Sequence, residues 1–273
     1  NEGILSALGN KKYAKNVPVI FGSNKDELSL WLSVNNYFSE RIYPFTRLIP
    51  IPKIELKNPE LYELWLSVRS QAWKLRGVDE PLLQLEKAGY KNIYAYRFDW
   101  DDQKKSFFAD FPNIIGAAHG LEIAFLTTEY KFGPVSSYVY PKTDERDQME
   151  ETFLSAWSNF AKKGVPIIEN ASIHWEKYAS SKQAFMVLDN LNQLRLISDM
   201  KNMDDILSFS NTNFATDIEK CLLVRETVIN IGDPNISLLN NWNNGSCNRF
   251  DLELELRKIE NDLISKYGQV SVF

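Results

Sequence analysis

The sequence predicts an α/β fold with a mostly parallel sheet flanked by helices, and two strand-like runs separated by helices support this prediction. Residues 17–22 and 92–98 are rich in β-branched and aromatic side chains and lack the polar alternation of a half-exposed strand. Such runs are typical of strands buried on both faces. Helical patterns lie between them, and strands that alternate with helices favour parallel pairing.

The chain around the first strand is expected to be largely irregular. Residues 1–16 predict only a short helical piece around Ala7, and Gly22 is expected to end the strand. A helix is expected to begin within residues 28–32. Residues 37–54 are rich in proline and aromatic side chains, which predicts a loop that shapes a pocket rim.

Residues 59–75 have the pattern of an amphipathic helix that contributes to the core. The apolar side chains on its one face are Leu61, Leu64, Trp65, Val68, Ala72 and Leu75. Gly77 is expected to end this helix. A second helix over residues 81–88 is expected to stop at Gly89.

The second half of the chain predicts a loop, a long helix, a hairpin and a helical end. The loop spans residues 129–143, and Gly164 is expected to end the helix, whose buried face carries Met149, Phe153, Trp157 and Phe160. Two short strand-like runs, residues 185–188 and 194–197, predict a hairpin. The last helices are expected at residues 217–228 and from Asp251 onward.

Composition limits the classes of function. The chain has 273 residues, 44% of them hydrophobic, and a net charge of −5 without a basic run, which argues against nucleic acid as a partner. No apolar stretch reaches the ~18 residues of a membrane span. Cys221 and Cys247 lie far apart without nearby histidine, a spacing unlike that of zinc sites. They either pair in an oxidising compartment or remain two buried free thiols.

His119 is one of two histidines and lies between Gly116 and Gly120, with Glu122 three positions later. Imidazole exchanges a proton near neutral pH, since its ordinary pKa is about 6.5. Flanking glycines let the backbone turn and present the ring as a general base requires. Taken alone, however, this stretch is more typical of a loop histidine with a structural role.

Asp26 and Glu27 directly follow the first predicted strand, where α/β sheets carry their active groups. Position alone favours a simpler role, that of carboxylates at a helix N-terminus. His119 follows Glu27 by 92 residues. The order acid then histidine is that of the later two members of an α/β-hydrolase triad, which runs nucleophile, acid, histidine along the chain.

Several motifs resemble type-B carboxylesterases, the family that includes the cholinesterases. Val17-Pro-Val-Ile-Phe-Gly-Ser-Asn-Lys-Asp-Glu27 is similar to the family's acid-bearing strand and turn, and Tyr94-Ala-Tyr-Arg-Phe98 with Gly116-Ala-Ala-His-Gly-Leu-Glu122 to its last major strand and histidine loop. Trp157-Ser-Asn-Phe-Ala-Lys-Lys-Gly164, Val165-Pro166 and His174-Trp175-x-x-Tyr178 continue the match. The resemblance covers residues 1 to about 200 and implies the C-terminal part of a single α/β-hydrolase domain, with residues 201–273 as a helical extension.

By this resemblance, Glu27 is the triad acid and His119 the general base. Glu122 matches an acidic position with a structural role, and Leu30 and Trp31 fall where family members place pocket-lining side chains. The resemblance implies no metal or organic cofactor.

Three further positions complete the comparison with the family pattern. Asp26 is expected to shape the turn, and Leu28 stands where glycine commonly follows the family's acid. His174, the other histidine, lies beyond the family's catalytic region beside Trp175 and is expected to be a packed or surface residue.

The nucleophile of such an enzyme is missing. No Gly-x-Ser-x-Gly occurs, since the only glycines four apart, Gly116 and Gly120, enclose Ala118, and no glycine-rich oxyanion loop is present. In the family both precede the acid strand, so the resemblance places them before Asn1. The chain alone is therefore expected to be inactive, with the serine-bearing N-terminal half as its partner and a small-molecule ester as substrate.

The predicted function is that of the C-terminal portion of a serine carboxylic-ester hydrolase. The alternatives are a non-catalytic esterase-like binding or adhesion module and the second subunit of a split esterase. Retention of both Glu27 and His119 argues against the module, and a lone fragment would expose an apolar edge at its first strand. The preferred ester stays open, as does the localisation, with a secreted or periplasmic one favoured over the cytoplasm.

Overall fold

The computed structural model describes residues 3–43, 52–209 and 211–268. The strands of this part of the chain are β1 (Val19–Asn24), β2 (Ser39–Ile42), β3 (Lys53–Leu56), β4 (Ile93–Phe98), β5 (Ala184–Leu188) and β6 (Arg195–Ser198). Its helices are α1 (Ile4–Leu8), α2 (Ser29–Val34), α3 (Pro59–Lys74), α4 (Glu80–Lys87), α5 (Phe111–Ile114), α6 (Ile123–Thr127), α7 (Ser136–Val139), α8 (Asp144–Lys163), α9 (Met203–Ile206), α10 (Asp217–Asn230), α11 (Ile236–Asn241) and α12 (Leu252–Tyr267).

The main sheet has the strand order β1-β4-β5-β6. β1 pairs in parallel with β4, and β4 pairs in parallel with β5, whereas β6 is antiparallel to β5. Helices α2 to α4 connect β1 to β4, as parallel neighbours require. The predicted α/β class with a mostly parallel, helix-flanked sheet is confirmed, and so is the β5–β6 hairpin. Among the described strands, β1 contacts only β4 and lies at the edge of the sheet.

Gly22 does not end β1, contrary to the sequence-based expectation. The strand continues to Asn24, and Gly22 lies opposite Tyr96 of β4. A Cβ atom at Gly22 would lie 2.0 Å from the Tyr96 ring, so the ring occupies the space that a side chain at residue 22 would need. That ring also packs edge-on against Trp157 of α8 at a centroid distance of 5.2 Å. Gly22 is therefore a packing position rather than a strand terminator.

Gly77 does not end α3 either. The helix begins at Pro59 after Asn58, whose side chain accepts the N–H of Leu61, and ends at Lys74. A π-helical turn, Leu75–Asp79, then leads directly into α4. The ammonium of Lys74 lies 2.7 Å from a carboxylate oxygen of Asp79, and both side chains are buried. This ion pair spans the turn through which the helix continues past Gly77.

Residues 37–54 are not entirely a loop. β2 and β3 form a separate two-stranded antiparallel sheet in which Ser39 faces Leu56. Of this segment, residues 44–51 lie outside the described residues, and so does the part of the predicted pocket rim that they would form. The paired strands β2 and β3 therefore flank the segment 44–51 in sequence.

Helices α8, α10 and α12 follow the predicted pattern, whereas α9 and α11 were not predicted and α7 lies within the segment predicted as a loop. Gly164 follows α8 in the left-handed conformation with φ of 71°, as expected for its C-terminal glycine. In the C-terminal part, α10 packs on α3, and Trp65 and Leu222 belong to one buried cluster. Cys221 of α10 and Cys247 form a disulfide bond, so the pairing alternative is the one that the structure contains.

The largest group of buried aromatic side chains forms one cluster with members from β4, α6 and α8. Phe98, Trp100, Phe125 and Phe153 are almost fully buried there and pack against one another through edge and stacked contacts. This cluster holds the segment after β4 against the sheet. None of the helices in the described ranges has the length and apolar character needed to cross a lipid bilayer.

We expect Gly22→Ala to destabilise the fold by about 1–3 kcal/mol, the usual cost of overpacking. The added methyl group would collide with the Tyr96 ring, and urea unfolding measures the loss. Gly3→Ala is a suitable control because it has open space around the added Cβ. In a Tyr96→Ala background the Gly22→Ala cost should vanish, and persistence of the full cost there would contradict this explanation.

Candidate active site

The structure brings Glu27 and His119 together at the carboxyl end of β1. Glu27 lies in the turn between β1 and α2, and His119 lies in the loop between α5 and α6, here called the histidine loop (residues 115–122). The imidazole Nδ1 is 2.6 Å from Glu27 Oε2. A parallel bridge between Asp26 and Ala118 places the two segments side by side. The predicted acid and base are thus direct neighbours despite the 92 residues between them.

Glu27 is a buried carboxylate with both oxygens engaged. Its side chain is only 5% exposed. Oε2 faces His119, and Oε1 accepts the main-chain N–H of Asn24 at 2.7 Å. Burial raises the pKa of Glu27, whereas the hydrogen bonds from Asn24 and His119 act in the opposite direction. These contacts fix the plane of the carboxylate and aim one oxygen at the imidazole.

The His119 ring is held at the surface. Gly116 and Gly120 both have positive φ, 54° and 78°, so the two glycines turn the loop as predicted. The His119 side chain is 48% exposed. With Nδ1 facing a carboxylate, Nε2 is the nitrogen that can exchange a proton with another molecule or segment.

Two tryptophan rings flank His119. The ring centroid of Trp31, on α2, is 5.3 Å from that of the imidazole, and Trp73, on α3, lies at 5.7 Å in an edge-on arrangement. Trp31 is 51% exposed. Trp73 was not a predicted site residue. The helical pattern of α3 predicts only which side chains face the core, and it does not predict a contact with a residue 46 positions away.

Asn24, which sequence reasoning also missed, connects the acid turn to the histidine loop. It is the last residue of β1 and is 2% exposed. Its amide nitrogen donates to the carbonyl of Ala118 and to Oε2 of Glu122, each at 2.6 Å. Its only sequence signal was its place in the acid-bearing motif, three residues before Glu27, because the strand was expected to end at Gly22.

Asp26 faces away from the imidazole and holds the loop backbone. Its carboxylate accepts the N–H of Ala117 at 2.9 Å, and its own N–H donates to the Ala117 carbonyl at 3.1 Å. Burial raises the pKa of Asp26 to about 6, opposed by the neighbouring charge of Lys25. Any Cβ at Gly116 would lie 2.3 Å from the Asp26 carboxylate. Gly116 is therefore required both for its φ and for this close approach.

Side chains from three other segments bind the carbonyls that precede His119. Ser29 Oγ donates to the Ile115 carbonyl at 2.6 Å, the Tyr62 hydroxyl to that of Ile114 at 2.6 Å, and Gln103 to that of Gly116 at 2.9 Å. Each of these donors is buried. Buried hydrogen bonds of this kind restrict the loop to one conformation.

The remaining predicted residues have clear positions. Leu28 adopts an ordinary right-handed conformation with φ of −90° and is buried, so the turn after Glu27 does not need glycine. Leu30 is partly buried against the aromatic cluster around Phe98, whereas Trp31 reaches His119. His174 is exposed in an irregular segment. Across residues 3–43, 52–209 and 211–268 no group of three or more His, Cys, Asp or Glu side chains is arranged to hold a metal ion.

Comparison with known proteins identifies relatives of part of the chain. Residues 79–207 match the carboxylesterase family. Over 105 residues the chain is 32% identical to the para-nitrobenzyl esterase of Bacillus subtilis (strain 168), a match that covers 37% of this chain and 19% of that enzyme.

Solved structures with a similar fold include a Geobacillus stearothermophilus carboxylesterase (TM-score 0.45, 18% identity, covering 71% of this chain and 40% of that one). Another is a thermophilic para-nitrobenzyl esterase (TM-score 0.45, 19% identity, covering 74% of this chain and 40% of that one). The chain therefore spans well under half the length of the relatives that it matches.

The raised pKa of Asp26 predicts a pH-dependent effect of Asp26→Asn on stability. Between pH 4 and about 6 the folded protein binds more protons at Asp26 than the unfolded chain, so this carboxyl lowers the free energy of unfolding as the pH rises. The variant should therefore gain stability relative to the wild type from pH 4 to pH 7. Urea unfolding at several pH values measures this difference.

Asp233→Asn, at an exposed carboxyl, is the control for the Asp26 experiment. The gain of Asp26→Asn between pH 4 and pH 7 should exceed any gain of Asp233→Asn. If Asp26→Asn behaved in the same way, the burial of Asp26 would not be the cause of the shift.

Proposed function

Because residues 79–207 of this chain match the carboxylesterase family, we propose that the chain is the C-terminal portion of a serine carboxylic-ester hydrolase. Glu27 and His119 would be its acid and its general base. The observation that carries the proposal is the 2.6 Å contact between Glu27 Oε2 and His119 Nδ1, made by a buried carboxylate and a half-exposed ring. This is the arrangement in which a carboxylate orients an imidazole for proton transfer.

In the proposed reaction a serine hydroxyl attacks the ester carbonyl while His119 Nε2 accepts its proton. The imidazolium then returns that proton to the departing alcohol, and a water molecule hydrolyses the acyl-serine by the same route. Glu27 keeps Nδ1 protonated and stabilises the positive charge that forms on the ring. The serine and the oxyanion-binding N–H groups would come from residues outside this sequence, so the chain alone would not turn over an ester.

The proposed substrate is a small carboxylic ester. Trp31, at 51% exposure beside His119, offers an apolar wall next to the reacting atoms, and Leu30 is proposed as a second pocket residue. The substrate class rests on the family match alone.

A non-catalytic binding module has less support from the site. Burial of Glu27 raises its pKa, which means that the fold tolerates an unfavourable carboxylate at this position. A module that only binds a partner has no need for a desolvated carboxylate aimed at an exposed imidazole. We therefore retain the hydrolase as the proposal.

The proposal is tested by Glu27→Gln and His119→Ala in the full-length protein that contains this sequence. Glu27→Gln leaves the imidazole without its orienting carboxylate, and His119→Ala removes the general base. For each variant, kcat for a para-nitrophenyl ester should fall by about 10³- to 10⁴-fold with little change in KM. Glu129→Gln, at an exposed carboxylate paired with Lys131, should leave both constants unchanged. Near wild-type hydrolysis by either site variant would contradict the proposal.

A further inference from the structure

The structure assigns a positioning role to Asn24: we propose that this residue aligns the acid and the base with each other, an inference that rests on the proposed function. Asn24 contacts three groups that belong to the two catalytic segments. Its main-chain N–H donates to Glu27 Oε1 at 2.7 Å, and its side-chain amide donates to the Ala118 carbonyl and to Glu122 Oε2. It is the last residue of β1, so the sheet fixes its position.

The two sides of Asn24 control different parts of the pair. The main-chain N–H holds one oxygen of Glu27, which leaves the other oxygen aimed at His119. The side-chain amide binds the carbonyl of Ala118, the residue directly before the base. One residue therefore sets the carboxylate plane and the backbone position of the imidazole together.

Glu122 completes this arrangement on the far side of the base. It follows His119 by three residues, and its carboxylate accepts the second N–H of the Asn24 amide at 2.6 Å. The amide thus binds the histidine loop both before and after the imidazole. A rotation of the loop about either end would break one of the two hydrogen bonds.

The chemistry at this position requires two donors. The amide nitrogen of Asn24 faces a carbonyl and a carboxylate, both of which only accept hydrogen bonds. Asparagine offers two N–H groups on a side chain short enough to stay within the buried turn. Aspartate has the same shape but no donor when ionised, and its charge would add to those of Glu27 and Glu122.

Asn24→Asp in the full-length protein is therefore expected to lower kcat per active site by about 10²-fold, the usual effect of a small displacement of a reacting group. KM should change little because Asn24 is 2% exposed and does not reach the substrate side of the imidazole. Active sites are counted by the burst of para-nitrophenolate, so loss of folded enzyme does not enter kcat. Unchanged kcat per site would overturn the proposal.

A second substitution separates positioning from simple stability. In Asn24→Asp with Glu122→Gln the contact with residue 122 is restored, since the glutamine amide can donate to the new carboxylate, whereas the Ala118 carbonyl stays without its donor. This double variant should therefore recover part of the lost kcat per site, and a kcat per site no higher than that of Asn24→Asp, with the melting temperature restored, would overturn the proposal. Should Asn24→Asp fail to fold, Asn24→Ser, which keeps one donor, should show an intermediate kcat, and a wild-type value there would overturn it too.

Asn35→Asp is the matched control. Asn35 is also buried, at 3% exposure, but its side-chain oxygen accepts the N–H of Tyr37, which an aspartate would still do. Its kcat per site should equal that of the wild type. Glu27→Gln, measured in parallel, distinguishes the two ways to fail: if it stays active, the proposed function is wrong, and if it is inactive while Asn24→Asp is normal, only the role of Asn24 is wrong.

Discussion

The candidate site depends on the joint between the carboxyl end of β1 and the histidine loop. Three carboxyl groups, those of Asp26, Glu27 and Glu122, lie at this joint, and an unpaired buried carboxylate costs several kcal/mol. Each of them accepts at least one N–H from across the joint or from Asn24. These hydrogen bonds stabilise the carboxyl groups and oppose the electrostatic repulsion among them.

Parallel pairing explains why the joint forms between segments so distant in sequence. β1 and β4 run in register from Val19 opposite Ile93 to Asn24 opposite Phe98, so both strands end at the same edge of the sheet. The turn after β1 and the longer connection after β4 emerge there together. The aromatic cluster around Phe98 then fixes the second connection, which brings Ala118 beside Asp26. The register of β1 and β4 therefore brings Glu27 close to His119.

Sequence reasoning predicted what depends on local pattern and on the order of motifs. β1, β4, β5 and β6 follow from short runs rich in apolar and β-branched side chains, and α3, α8 and α10 from helical patterns. Glu27 and His119 were proposed from motifs that resemble those of a known family. Sequence reasoning was wrong at Gly22, which packs against a ring of the neighbouring strand, and at Gly77, which lies in a helical turn spanned by an ion pair. It also missed the β2–β3 pairing within a proline- and aromatic-rich segment.

The residues that sequence reasoning missed at the site share one property. Asn24 and Trp73 act through contacts that exist only after β1, α3 and the histidine loop have packed together. Their local patterns are those of a strand end and a helix. Such positions become visible only when the distances between segments are known.

The groups that this chain places around the imidazole indicate which part of the proposed enzyme's site it would supply. The carboxylate of Glu27, the amide of Asn24, and the hydroxyls of Ser29 and Tyr62 hold the base and its loop. Electrostatic catalysis is effective when such groups are oriented before the reaction, because no reorganisation is then needed in the transition state. Alignment of the acid and the base would therefore be the contribution of this chain, and a serine-bearing segment would supply the hydroxyl and the oxyanion-binding N–H groups.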